Sequence, residues 1–144
     1  MKNEAFFYII KESEKLNQAI CQVIKHFYKN KYNILVNTQD DNQIEDLDSL
    51  LWTFEQISFI PHLTDKDLGL PTPILLCNKV ALPKTFDLSP FKVLFNLNQD
   101  IPNDCEDFEK IIEFVLPEES QKTISREHYL FYKNNNFIVK HETI

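Results

Sequence analysis

The chain has 144 residues and a mass of 17.1 kDa, the size of a single domain, and 43% of its residues are apolar enough to build a core without staples. A formal net charge of −7 argues against a broad phosphate-binding surface. Gly69 is the only glycine, which excludes a P-loop or a G-x-G-x-x-G turn, because both need several glycines where backbone meets phosphate.

The run Phe6 to Ile10 is apolar without alternation, as in a strand covered on both faces. Leu16, Ala19, Ile20, Val23, Ile24 and Phe27 then recur at three- and four-residue steps and predict a helix that stops at Asn30. Ile34 to Val36 reads as a second buried strand. A second helix follows on Ile44, Leu47, Leu50 and Leu51, with Asp40 and Asp41 as caps. The order βαβα predicts a parallel sheet, since parallel neighbours need a crossover. Pro61, Pro71, Pro73, Pro83 and Pro90 break the middle of the chain, leaving Ile74 to Cys77 and Val93 to Phe95 as its strands. The spacing of Phe108, Ile111, Ile112 and Val115 predicts a return to helix up to Pro117. A last helix is predicted over Ser120 to Asn135, favoured at its start by Glu118 and Glu119, and Phe137 to Val139 reads as a short extra strand.

The charge is uneven. Asp100 to Glu119 holds eight acids and one base, and the remainder of the chain is neutral. That acidic stretch reads as a solvated helix face rather than a catalytic pair. Cys21, Cys77 and Cys105 have no zinc-site spacing and read as buried, reduced thiols, consistent with a cytoplasmic protein. No apolar run reaches membrane-spanning length, and no metal or cofactor is implied. His26, His62 and His141 have no acidic partner at a telling spacing, so His62 reads as a packing or hydrogen-bonding residue and an enzyme reading stays weak.

Two features look like contact surfaces. At ~100° per residue, Lys122, Arg126, Tyr129 and Lys133 fall in one narrow stripe of the last helix, while Ile124, His128 and Phe131 lie opposite and face the core. Arg126 is the only arginine, and an arginine grips a carboxylate with two parallel hydrogen bonds. The alternative is an ordinary helix face with an i,i+4 ion pair. Trp52, the sole tryptophan, ends the second helix, and Phe59 lies in the run that follows it. Spacing alone favours them as core residues over partner anchors.

Three segments, M-K-N-E-A-F-F-Y-I-I, L-D-S-L-L-W-T-F-E-Q-I-S-F-I-P-H and E-F-V-L-P-E-E-S-Q-K-T-I-S-R-E-H-Y-L-F-Y-K-N-N-N-F, together resemble the chi subunit family of bacterial DNA polymerase III. The resemblance implies one three-layer α/β domain over residues 1–144, with a mostly parallel sheet and a Rossmann-like topology that lacks a nucleotide site. It implies no catalysis and no cofactor, only two protein partners, with any DNA contact indirect. One partner is the psi subunit, which joins the chain to the clamp loader through Trp52 and Phe59. The other is the acidic C-terminal tail of single-stranded DNA-binding protein, which ends in Phe and a free carboxylate. Carried over by position, its contacts fall on Val115, Arg126 and Tyr129 with Lys122 nearby. Arg126 would take the carboxylate, Lys122 and Lys133 would attract upstream acids, and Val115 with Tyr129 would hold the Phe. Leu130 stands where well-known members carry a base, which weakens the electrostatic part of that site. The competing reading is a nucleotide-binding or hydrolytic enzyme on a related α/β fold.

Overall fold

The computed structural model describes residues 3–53, 60–68 and 71–144. Phe59 and Gly69 lie outside them. The chain opens with β1 (Glu4–Ile9), α1 (Leu16–Lys29), β2 (Ile34–Asn37) and α2 (Asp41–Thr53), the βαβα order expected. After α2 come β3 (Leu63–Thr64), β4 (Ile74–Cys77) and β5 (Val93–Asn96), then β6 (Lys110–Val115), α3 (Glu119–Asn134) and β7 (Ile138–Thr143). The seven strands form one sheet in the order β3-β4-β2-β5-β6-β1-β7, and every pairing is parallel. The two-residue strand β3 was not foreseen, and β7 is longer than the segment expected.

Strand parity divides the core in two. Ile34, Val36, Ile74, Leu76, Val93, Phe95 and Ile112 pack under Ile20, Val23, Ile24 and Phe27 of α1 and Ile44, Leu47 and Leu51 of α2. Their neighbours Leu35, Leu75, Cys77, Leu94 and Ile111 face the other way, with Ala5, Phe7 and Tyr132 of α3. Loop residues Phe91, Cys105 and Phe108 complete that second layer, and Leu82, Phe86 and Leu88 pack on it. The result is a three-layer α/β domain in which the central strands β2, β4 and β5 are buried at every position, covered on both faces as their apolar runs require.

Helix ends follow local chemistry. Asp40 Oδ1 accepts from the backbone N–H groups of Asn42 (3.0 Å) and Gln43 (3.3 Å), capping α2. Asn30 ends α1, and its side chain donates to the His26 carbonyl at 2.7 Å. Lys31 (φ 71°) and Asn136 (φ 68°) then take the left-handed conformation that usually falls to glycine after a helix.

Two expectations fail. The segment ending at Val115 is strand β6, not helix. Ile111, Ile112 and Val115 are β-branched, and β1 and β5 supply a ladder on both sides of the strand. Adjacent Ile111 and Ile112 are both fully buried on opposite sheet faces, an arrangement that a one-faced helix cannot give. Glu113 therefore belongs to no solvated helix face and is buried at 4% exposure. The second failure is Phe131, which is 39% exposed, while Tyr132 beside it is fully buried. The sheet-facing side of α3 runs through Ser125, His128 and Tyr132, about a quarter turn from the direction expected.

Candidate functional site

Helix α3 connects β6 to β7, and β1 lies between those two strands. The helix must therefore cross over β1. Between its sheet-facing side and the β1 surface lies a groove of about 430 Å3, lined by Phe7, Ile9, Val115, Lys122, Ser125, Arg126, Tyr129 and His141. Four of the five residues assigned to tail binding, Val115, Lys122, Arg126 and Tyr129, thus share one cavity. Lys133 does not line it. Its ammonium lies 5.8 Å from the Tyr129 ring centroid, one turn beyond the groove.

The floor is apolar and the rim is cationic. Val115 ends β6, and Phe7 and Ile9 lie two residues apart on β1, so parity turns all three to the α3 face. Phe7 and Tyr129 approach to 6.0 Å between ring centroids at 58°, which fixes the tyrosine against the sheet. Lys122 lies 4.0 Å from Glu119, a loose i,i+3 pair. Among the described residues Arg126 has no ion-pair or hydrogen-bond partner, so its five N–H donors face solvent over an apolar cavity. The i,i+4 pair that would make this an ordinary helix face is not formed. Phe7, Ile9, Ser125 and His141 were missed as lining residues. The i,i+2 spacing of Phe7 and Ile9 was available as a signal, but only the strand order reveals that α3 lies above them.

Behind the groove, α3 is tied to the sheet by a buried polar cluster. Glu113 accepts from His128 Nδ1, 2.9 Å from each carboxylate oxygen, from the Tyr132 hydroxyl at 2.7 Å and from Asn96 Nδ2 at 3.2 Å. His128 Nε2 donates to the Gln99 carbonyl at 2.6 Å. Both ring nitrogens therefore meet acceptors, an arrangement that favours the doubly protonated imidazolium. Burial acts to lower its pKa, but the bond to Glu113, the Glu113 charge and the Gln99 carbonyl outweigh burial and leave it raised. The same carboxylate and burial hold the Tyr132 phenol in its neutral form, with its pKa raised.

Beside this cluster, at the carboxyl ends of β5 and β6, lies the place where open α/β sheets bind ligands. The crevice left there measures about 80 Å3, against ~300–1,000 Å3 for typical small-molecule pockets. Among the described residues no group of three His, Cys, Asp or Glu side chains is placed to hold a metal ion. The three thiols are free and buried. Burial pushes Cys21 and Cys77 up to about 12 and Cys105 up to about 11, so none is an activated nucleophile.

The second surface lies far along the sheet. Trp52, in the last turn of α2, is 60% exposed, which overturns its assignment to the core. Its ring meets the His62 ring edge-on at 5.7 Å. His62 is buried, with Nδ1 2.7 Å from the Ile60 carbonyl and Nε2 2.8 Å from Asp48, so it is a hydrogen-bonding residue as expected. It braces the turn that presents Trp52. The other assigned residue, Phe59, lies outside the described residues.

Among the described residues no helix is long and apolar enough to cross a membrane. Comparison with solved structures finds the second DEAD-box helicase domain of Mss116p, bound to an RNA duplex, at a TM-score of 0.65 and 12% identity, covering 96% of this chain and 64% of that one. That likeness shows the Rossmann-like fold alone. DNA polymerase III subunit chi of Haemophilus influenzae is 29% identical over 132 residues, covering 90% of this chain and 89% of the relative. The Escherichia coli protein of the same name is 24% identical over 143 residues, covering 95% of each. The family model for the DNA polymerase III chi subunit, HolC, matches residues 1–140, and the chain belongs to that family.

Proposed function

We propose that this chi subunit of DNA polymerase III is a non-catalytic adaptor in DNA replication. It holds the psi subunit, and through it the clamp loader, at the Trp52 and Phe59 surface. It holds the acidic C-terminal tail of single-stranded DNA-binding protein in the groove under α3. The observation that carries this reading is the groove itself, an apolar floor with an unpaired guanidinium at its rim. Such a site suits a peptide that ends in an aromatic side chain and a free carboxylate. Arg126 takes the carboxylate in a bidentate pair, the ring enters between Val115 and Tyr129, and Lys122 and Lys133 attract the upstream acids. A nucleic-acid backbone suits it less, since two flanking cations beside an acidic stretch make a poor phosphate track.

Arg126→Ala is expected to weaken binding of a fluorescent Asp-Phe-ending acidic peptide by ~1.5–3 kcal/mol, the range for a hydrogen bond to a charged group. Unchanged anisotropy titrations would remove the assigned site. The exposed Trp52 supports the second contact. Trp52→Ala with Phe59→Ala is expected to abolish co-purification with psi while peptide binding survives; loss of both would mean that the pair holds the fold.

A further inference from the structure

We propose that His141 is a third cation of the tail groove and makes capture of the acidic peptide tighter as pH falls. This inference rests on the tail-binding reading above and adds a residue and a regulation to it. The register places it. β7 runs parallel to β1 with Val139 beside Ala5, His141 beside Phe7 and Thr143 beside Ile9. Ala5 and Phe7 face α3, so Val139 and His141 share that face, and His141 lines the groove. Lys140 and Glu142 point the other way, and Lys140 pairs with Glu4 at 2.8 Å on the far side of the sheet. The His141 ring is exposed and has no hydrogen-bond or ion-pair partner among the described residues.

The charged side chains that line the groove with His141 have one sign. From α3 come Lys122 and Arg126 on the groove, the Tyr129 side chain, and Lys133 one turn on. From β1 come Phe7 and Ile9, which carry no charge. From β6 comes Val115, and Glu113 behind it is committed to His128, Tyr132 and Asn96. Glu119, in the first turn of α3, pairs loosely with Lys122 at 4.0 Å and does not line the groove. Among the lining side chains, a charged His141 therefore meets only like charge. A bound carboxylate-rich peptide reverses that balance, so the complex holds the proton more tightly than the free protein does. By linkage, peptide binding is coupled to proton uptake at the imidazole, and affinity rises as pH falls. The expected gain is about two- to fivefold, the scale of one exposed ion pair.

The test is anisotropy with the same labelled Asp-Phe-ending peptide at about pH 5.5 and pH 8 and fixed ionic strength, a window in which the peptide's carboxylates stay charged. Wild-type protein is expected to bind two- to fivefold tighter at the lower pH. His141→Gln should bind equally at both, with the wild-type affinity of the higher pH. His141→Lys should keep the tight binding at both. A pH slope that survives in His141→Gln assigns the proton to another group, such as His128, and overturns the proposal. So does a wild-type protein with no slope. Arg126→Ala, run in parallel, reports on the site itself: if it binds like wild type, the tail-groove reading fails, whatever His141 does.

Discussion

Glu113→Ala removes the one acceptor shared by three donors in the core. In the native chain the His128 and Glu113 side chains are each 6% exposed, so neither charge has water to fall back on. Asn96 keeps a partner in the Asp100 carbonyl at 3.2 Å. The Tyr132 hydroxyl, on a fully buried residue, loses its acceptor, and His128 keeps only the Gln99 carbonyl. Stranding a buried hydroxyl costs ~1–3 kcal/mol, and breaking a buried ion pair from one side costs ~3–5 kcal/mol with such terms included. The expected loss is therefore about 3–5 kcal/mol out of the ~5–15 kcal/mol typical of a domain. Urea unfolding at about pH 6, followed by far-UV circular dichroism, reads it as a lower midpoint at unchanged slope. The pH dependence carries a sign. Because the folded-state pKa of His128 is raised, its contribution is complete below the ordinary value of about 6.5 and drains away as pH rises through the folded value. Wild-type stability should decline across that window, and the variant should lack this component. Replacing both Glu113 and His128 with leucine should recover the ion-pair part of the loss, since no charge is then stranded, and leave the cost of the unpaired Tyr132 hydroxyl. A loss below about 1 kcal/mol for Glu113→Ala, or the same pH profile in both proteins, would refute the reasoning.

Leu130 is 57% exposed beside Tyr129, so Leu130→Lys adds a cation near the groove without disturbing the core. Tail-peptide affinity should rise about two- to fivefold, with a steeper salt dependence in anisotropy titrations. Lys31 holds φ at 71° after α1, where only glycine escapes the steric cost. Lys31→Gly should gain about 0.5–1 kcal/mol net of its extra unfolded-state entropy and raise the calorimetric melting temperature by about 2–4 °C. Cys21, Cys77 and Cys105 should resist a thiol-directed disulfide reagent at pH 8 until denaturant is added, and fast labelling of the native chain would contradict their burial.

Much of the fold was legible in the sequence because strands such as Ile34 to Val36 and helices such as α1 carry patterns that survive without tertiary context. The helix read into β6 shows where this stops. Ile111 and Ile112 side by side fit either a helix stripe or a doubly covered strand, and only the pairing with β1 and β5 decides. That one assignment hid Glu113, since a charged residue reads as solvent-facing until its strand neighbours are known. For the groove, the stripe of Lys122, Arg126 and Tyr129 was visible as a helical period. Its floor was not, because Phe7 and His141 come from opposite ends of the chain and meet only through the strand order β6-β1-β7. Trp52 was misjudged on spacing because a large aromatic at a helix end is more often buried than displayed. The family resemblance, not the period, implied a place at the surface.

The central claim concerns where a peptide's last residue goes. A crystal structure of the chain with an Asp-Phe-ending acidic peptide tests it most directly. The account predicts the terminal carboxylate on the Arg126 guanidinium, the Phe ring against Val115 and Tyr129, and the preceding acids toward Lys122 and His141. A peptide seated elsewhere on the chain, or a carboxylate held without Arg126, would contradict it.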